Sequence, residues 1–396
     1  MINNVLDPLI IELLKEIDSL GFKLCLVGGA TRDYFLKNSL GNDYDFELRS
    51  HSQNKDTWAD DFLRFVDFIK TKNLKYEIFP YQIIRVELSQ YSLEFSSPRI
   101  EYFIGNSYNH HNFVATLDPS LAYEDSFRRR DFTINAIGVE FNFSNHQITE
   151  KIYDPYNGLN DIKNKILCNI DDDFYKDSVR FLRLIRFSIK LNFSVSEQII
   201  KNISKFNLTQ LSKFHFSSEL FKCDAATFLN RFSSAITENN LVLSEEFHVW
   251  LRNSWPVGKI FSREDILGWC VLNKNELVTD IQNFFSFSQK TAEKMKSYFH
   301  SLIFVSSFGK DNFLNLLDMP IEVALSQEVL KHLKNIDDKN NLSKLNHLLD
   351  TDQVRIIFSD EDFNSIKVSS SELKEIEPEY RSYFKYFMVV KRKYER

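Results

Sequence analysis

Hydrophobic positions change their period part-way along this chain. In the first third, short apolar stretches alternate with polar residues in the two-residue rhythm of strands. This rhythm predicts strands at KLCLVGG (23–29), DYDFEL (43–48), IIRVELSQYSLEF (83–95, turning near Ser89 and Gln90) and INAIGVEFN (134–142). Helical spacing predicts intervening helices over 5–19, 30–38 and 57–70. From Asp173 onward apolar residues recur every three or four positions, as in FYKDSVRFLRLIRFSIKL and SQEVLKHLKNI, with few breakers. Seven of the ten glycines and five of the eight prolines precede residue 160, so tight turns concentrate in the first part. The chain therefore reads as a mixed sheet-and-helix unit followed by helical units, with a change of class near 145–170 and no long linker or internal repeat.

Composition narrows the class of protein. At 396 residues, with 43% hydrophobic and 26% charged positions, the chain is long enough for more than one folded unit and too apolar for extensive disorder. No apolar run is long enough for a membrane helix, and the start, MINNVLDPLIIELLKEIDSLGF, carries acids where a signal peptide carries basic residues. A cytoplasmic location and no membrane partner are expected. The cysteines, Cys25, Cys168, Cys223 and Cys270, have neither metal-ligand nor disulfide spacing and read as packing thiols. A net charge of −6 argues against indiscriminate nucleic-acid binding but allows local basic surfaces. The 37 phenylalanines read as core filling rather than a stacking platform.

The candidate chemistry begins at GNDYDFELR. In an extended segment Asp43 and Asp45 share one face while Tyr44 and Phe46 take the other. Two carboxylates that close repel unless a cation lies between them, and hard oxygen ligands favour Mg2+. Glu47 shares their face and competes with Glu94, in a later strand, for the role of third metal carboxylate. Gly28 and Gly29, between a strand and a helix, leave backbone N–H groups free at a helix start, where phosphate can be held. Arg32 adds a charged fork there, with Asp33 to orient it. Arg128, Arg129, Arg130 and Asp131 precede FTINAIGVE, a cationic cluster that is costly without an anionic partner.

In order and spacing, GGATRD, DYDFE, SSPRIE, DPSLAYEDSFRRRDFTINAIG, YDPYNGLNDIKNKIL and FYKDSVRFLRLIRF resemble the class II tRNA nucleotidyltransferase and bacterial poly(A) polymerase family, over roughly residues 20–195. The resemblance implies an α+β protein: a polymerase-β-like nucleotidyltransferase head with a mixed sheet (1–145), an all-α neck that recognises the nucleotide base (146–225), and a helical body and tail that bind tRNA (226–396). It implies that Asp43 and Asp45 are catalytic and bind metal. Gly28, Gly29 and Arg32 would hold the triphosphate, and Arg129, Arg130, Asp131 and Asn135 would contact the nucleotide, with ribose hydroxyls as targets. Asp154 and Gly158, in DPYNG, match the motif joining head to neck.

Asp177 and Arg180 carry the most specific expectation. Three apart on a helix they are neighbours, and together they present an acceptor and a donor. Cytosine and adenine each show an amino donor beside a ring-nitrogen acceptor, whereas uracil and guanine show the reverse pattern. One fixed Asp/Arg pair therefore selects CTP and ATP, and the family's Glu-Asp-x-x-Arg motif implies the same. Lys176 stands where the family usually has Glu, and Phe214 and His215 stand where relatives often carry Glu and Arg, which changes the support of the neck. A purely structural reading makes Asp177 a residue near a helix start, with Asp171, Asp172 or Asp173 as cap. Arg180, Arg183, Arg186 and Lys190 share a broad face; Arg183 is placed with the nucleotide, and some of this face is expected to meet RNA backbone. His110 and His111 fall where the family has a flexible loop, without the partners of a zinc site. Asp360 to Asp362 reads as solvated surface.

The expected function is template-independent addition of C and A, from CTP and ATP, to the tRNA 3′ end, with pyrophosphate released and Mg2+ as cofactor. The alternatives are a poly(A) polymerase, a partial CC-adding or A-adding enzyme, and a non-catalytic RNA-binding relative. The short basic end KRKYER tilts the choice toward tRNA. The sequence leaves monomer or dimer open.

Overall fold

The computed structural model describes residues 2–103, 113–144, 147–251, 255, 266, 270 and 278–287. The helix expected at SQEVLKHLKNI, the residues His110 and His111, the run Asp360 to Asp362 and the final KRKYER lie outside them. The first compact unit comprises Met1–Glu219 and Ser234–Ser244; the second comprises Leu220–Ser233 and Glu245–Arg396.

The first unit begins with α1 (Pro8–Ser19). Asp7 caps it by accepting from Leu9 N at 2.9 Å, Pro8 supplies a preset first turn, and Ile10, Leu13, Leu14 and Ile17 form its buried stripe. The chain continues through β1 (Phe22–Val27), α2 (Gly29–Lys37), β2 (Asp43–Ser50) and α3 (Trp58–Thr71), then β3 (Lys75–Phe79), β4 (Ile83–Leu88) and β5 (Tyr91–Ser96). A two-stranded ribbon follows, β6 (Arg99–Phe103) and β7 (Phe113–Leu117), and then α4 (Tyr123–Phe127), β8 (Gly138–Ser144) and β9 (Gln147–Tyr153). Seven strands make one mixed sheet in the order β3-β4-β5-β2-β1-β8-β9, in which β2 and β5 run parallel. Helices α1 and α3 bury their stripes with this sheet in one core, where Phe46 and Phe95 stack at 5.4 Å and Phe65 meets Phe95 edge-on at 5.2 Å.

Two expectations need correction here. The strand expected at INAIGVEFN starts only at Gly138, because Thr133–Asn135 forms a 3-10 turn. Thr133 Oγ1 donates to Asp161 at 2.6 Å, and Gly158 packs so tightly on this turn that a Cβ there would stand 2.3 Å from the Thr133 carbonyl oxygen. The head sheet also extends past the expected boundary at 145, since β9 pairs with β8 along its whole length. The helical part therefore starts after Tyr153, not at 146.

Asp154 then makes the joint. Its carboxylate accepts from Gly158 N at 2.6 Å and Leu159 N at 3.0 Å, which starts α5 (Gly158–Asn164). Next come β10 (Ile166–Leu167), α6 (Ser178–Lys190), β11 (Ser194–Val195), α7 (Glu197–Asn202), α8 (Lys213–Leu220) and α9 (Ala225–Glu238). In the second unit Trp250 packs against Trp255 and Phe284, the latter within α10 (Val278–Phe284), and Asn230 exchanges two hydrogen bonds with the Trp255 backbone. No described helix is long and apolar enough to cross a membrane.

Candidate active site

The alternation expected in β2 is present: Asp43 and Asp45 are exposed, whereas Tyr44 and Phe46 are buried. Register does the rest. Val27 pairs with Asp45, so the turn at Gly28 begins one residue beyond the carboxylate on the neighbouring strand. Gly28 is the residue before α2 and adopts φ 78°, ψ −131°, a conformation that favours glycine. A Cβ at Gly28 would stand 3.0 Å from Asp45 Oδ2 and 3.0 Å from Arg130 Nη1, so this position is where the glycine turn, the carboxylate and the arginine loop meet.

Asp45 reaches solvent from within a densely surrounded region. Burial pushes its carboxyl above the ordinary range, Arg130 opposes that rise, and Glu94 and Asp43 add to it. A divalent cation would relieve this accumulation of negative charge, so the donor set fits a hard metal. Glu94 is in register with Asp45 across the parallel β2–β5 pair and shares its face, but its carboxylate is paired with Arg85 at 2.9 Å. Glu47, the competitor, is fully buried and bound to Arg49 and Ser126. Glu47 Oε1 is thus committed to Arg49 and Ser126. Among the described residues no three His, Cys, Asp or Glu side chains are assembled as a metal cluster.

The arginine loop is undersatisfied. Arg129 Nε and Arg130 Nε are buried without a hydrogen-bond partner among the described residues. Burial, with Arg99 and Arg130 adding to it, lowers Arg129 to about 9. Such a group is set for an anion. Asp131 is engaged within the protein: its carboxylate accepts from Phe132 N, from Asn135 Nδ2 at 2.9 Å and from Arg183 Nε at 2.6 Å. Burial alone would raise it, but Arg183 and these hydrogen bonds outweigh burial and hold it at about 2. Asn135 passes the connection on, accepting from Arg32 Nη1 at 2.8 Å, while Asp33 holds Arg32 Nε at 2.8 Å. Arg32 is thus fixed near Gly29, as expected, and Arg183 organises the loop through Asp131.

Asp177 and Arg180 are brought together, both about 5% exposed: 5% and 6%. Asp177 is itself the cap of α6, accepting from Val179 N at 2.8 Å, and its other oxygen lies 3.8 Å from Arg180 Nε. Asp171 instead caps a separate 3-10 turn over Asp172–Lys176. Arg180 Nη2 donates to the Arg129 carbonyl at 2.7 Å, tying α6 to the arginine loop. Arg129 and Arg180, with Glu101, Phe103 and Asp173, line a cavity of about 300 Å³. Lys176 points to solvent and pairs with Asp173 at 2.7 Å, so its replacement of Glu leaves the buried pair in place.

Of the four residues on the face where some were expected to meet RNA backbone, Arg186 is turned inward. It is buried, ion-paired with Glu219 of α8 and stacked on Phe187 at 4.0 Å. Glu219 had no expected role; Phe214 is 76% exposed, and the Arg186–Glu219 ion pair ties α6 to α8.

Comparison with known proteins bears directly on these features. The poly A polymerase head domain family matches residues 24–168, a span that contains Gly28, Asp43, Asp45 and the arginine loop. A CCA-adding enzyme of Actinobacillus succinogenes is 33% identical over 129 residues, 32% of this chain and 30% of that protein. A CCA-adding enzyme of Staphylococcus epidermidis is 25% identical over 209 residues, 52% of this chain and 45% of that protein. Residues 24–168 are therefore similar to a poly A polymerase head domain. The match spans less than half the length of either relative. Among solved structures of the family, the Bacillus stearothermophilus CCA-adding enzyme in complex with CTP is similar with a TM-score of 0.59 at 18% identity, covering 93% of this chain and 88% of that one. The Thermotoga maritima CCA-adding enzyme complexed with tRNA gives 0.56 at 14% identity, covering 98% and 92%. These likenesses establish the fold.

Proposed function

We propose that this chain adds C and A, from CTP and ATP, to the 3′ end of tRNA without a template and releases pyrophosphate. The observation that carries the proposal is the buried Asp177–Arg180 pair, whose arginine lines a cavity together with Arg129, because one acceptor and one donor side by side match the shared edge of cytosine and adenine. The relatives named CCA-adding enzymes, including one complexed with CTP and one with tRNA, support the same reading.

In this account Asp43 and Asp45 hold Mg2+, with Glu94 as an additional carboxylate if Arg85 releases it. When bound, the metal supplies positive charge for the oxygens between which the nucleotidyl group moves. The Gly28–Gly29 turn offers N–H groups to the triphosphate, and Arg32 and Arg130 neutralise it. Arg129 faces the nucleotide, while Asp131, Asn135 and Arg183 hold Arg32 and the loop in place. The helical remainder grips tRNA by shape and phosphates. The site belongs in the cytoplasm, where tRNA and both triphosphates are available.

The test uses tRNA transcripts lacking their last three, two or one nucleotides, incubated with each triphosphate and read by product length. Completion of CCA from CTP and ATP alone supports the proposal. Long A tracts would favour the poly(A) reading, addition stopping at CC or needing CC would favour a partial enzyme, and no extension at all would reject nucleotidyl transfer.

A further inference from the structure

Arg99, the first residue of β6, is 8% exposed. Its Nε donates to Glu101 Oε1 at 2.8 Å, and the Tyr81 ring lies over its guanidinium at 5.6 Å. Its Nη1 is buried and has no hydrogen-bond partner among the described residues. Arg129 Nη1 stands 4.0 Å from the same Glu101 oxygen, and Arg129 Nε and Arg130 Nε are orphaned as well. One carboxylate thus serves the buried Arg99 and the partly buried Arg129, with a third cation adjacent to Arg129. A buried donor left unpaired costs on the order of 1–3 kcal/mol, and more when charged, so an acceptor that met all three would relieve a large cost, and an anion would do so best.

The residue packed on Arg99 sits in an unfavourable turn. Tyr81 (φ 61°) and Gln82 (φ 52°) are both left-handed, a conformation that disfavours side chains other than Asn or Asp, and Tyr81 is the one aromatic residue among the described residues to adopt it. Such a conformation costs about 1–3 kcal/mol and persists only where neighbours impose it. Those neighbours are identifiable. Ser97 N donates to the Gln82 carbonyl at 3.3 Å, Ser97 Oγ lies 3.2 Å from Gln82 Oε1, and the buried Trp58 indole donates to that hydroxyl at 3.1 Å. Ser97 is two residues before Arg99. The segment that carries the arginine is therefore the segment that locks the turn, and the turn delivers the ring to the arginine.

We infer that Arg99 is a phosphate-binding residue, using its unpaired Nη1 beside Arg129, and that Tyr81 is a positioning residue that fixes its guanidinium. The ligand is a phosphoryl group, carried either by the incoming nucleoside triphosphate or by the 3′-terminal stretch of the RNA. This deepens the nucleotidyl-transfer reading and rests on it. A guanidinium held on one edge by Glu101 and on one face by Tyr81 loses little further freedom on meeting phosphate oxygens, which is why it would bind them well.

The test compares Arg99→Gln, Arg99→Lys, Tyr81→Asn and Tyr81→Phe in the full chain. It reads KM for CTP, KM for the truncated tRNA, equilibrium binding of inorganic pyrophosphate, and the unfolding midpoint. Arg99→Gln is expected to raise one KM by about tenfold or more. A rise for CTP with weakened pyrophosphate binding assigns the triphosphate; a rise for tRNA with pyrophosphate binding unchanged assigns the RNA. Arg99→Lys, which keeps charge but loses the fork, falls between. Tyr81→Asn tolerates the left-handed turn, so its midpoint stays near wild type while it shares the KM defect; Tyr81→Phe keeps the ring and restores KM. Both KM values within about twofold of wild type in the Arg99 variants would overturn the inference. So would a Tyr81→Asn protein that is merely less stable with KM unchanged. Failure of the wild-type chain to incorporate any nucleotide rejects instead the function on which this inference rests.

Discussion

Arg183 Nε lies 2.6 Å from Asp131 Oδ2, and that contact joins the helix carrying the Asp177–Arg180 pair to the loop carrying Arg129 and Arg130. Through Asn135 and Arg32 the same chain of hydrogen bonds reaches the helix that follows the Gly28 turn. The helix carrying Asp177 and Arg180 and the helix that follows the Gly28 turn are thereby coupled through contacts that bridge 52 and 103 residues of sequence.

This coupling has a pH signature. Asp131 is lowered from 3.8 to about 2 in the fold, so its contribution is fully present above about pH 4 and is lost as pH falls from there through 2. Asp131→Asn removes that dependence and, by the same linkage, flattens the acid limb of the stability curve by about 2–3 kcal/mol. Urea unfolding between pH 2 and 6 measures it; equal acid limbs in both proteins contradict the assignment.

Asp45 has the opposite sign. Its folded value is raised, so ionising it penalises the metal-free fold as pH rises above the ordinary carboxylate range. Asp45→Asn is therefore expected to unfold no earlier than wild type without metal at neutral pH, while losing on the order of a thousandfold in nucleotide incorporation. In wild type Mg2+ raises the unfolding midpoint, and in Asp45→Asn it does so less. A variant that is both less stable and insensitive in activity would count against the metal assignment.

Gly28→Ala tests the meeting point of three elements. The residue is left-handed, and the new Cβ would press on Asp45 and Arg130 at 3.0 Å. The expected loss is about 1–2 kcal/mol in stability, with KM for the triphosphate raised. Denaturant unfolding with steady-state kinetics checks both; an unaltered KM would separate the turn from phosphate binding.

Arg186→Met takes from the buried Glu219 carboxylate its ion pair with Arg186, and about 3–5 kcal/mol of stability should go with it. The double variant Arg186→Met with Glu219→Leu should recover most of that loss, because two apolar groups replace a desolvated ion pair. If the double variant is no better than the single one, the two charges are not each other's partners.

The parts of the site fixed by local rules were legible in the sequence. Two-residue alternation placed Asp43 and Asp45 on one face, and Ser89 and Gln90 do separate β4 from β5. The pairings that depend on long-range contact were not. Nothing local distinguishes Asp131 bound to Arg183 from Asp131 free for a ribose, or Glu47 buried under Arg49 from Glu47 facing a metal. A run of three aspartates, Asp171 to Asp173, offered several caps, and only the packed structure shows a 3-10 turn that ends before Asp177 caps a second helix. Helical spacing put Arg186 on one face with Arg180, Arg183 and Lys190, but only the packed structure shows that it is buried against Glu219.

Discrimination between CTP and UTP in wild type and Asp177→Ala is the most direct measurement of the central claim, that a fixed carboxylate and guanidinium read the base. Wild type should favour CTP over UTP by about 100-fold or more in kcat/KM, and Asp177→Ala should reduce that ratio more than it weakens triphosphate binding. A ratio unchanged in a folded Asp177→Ala protein would show that the base is read elsewhere.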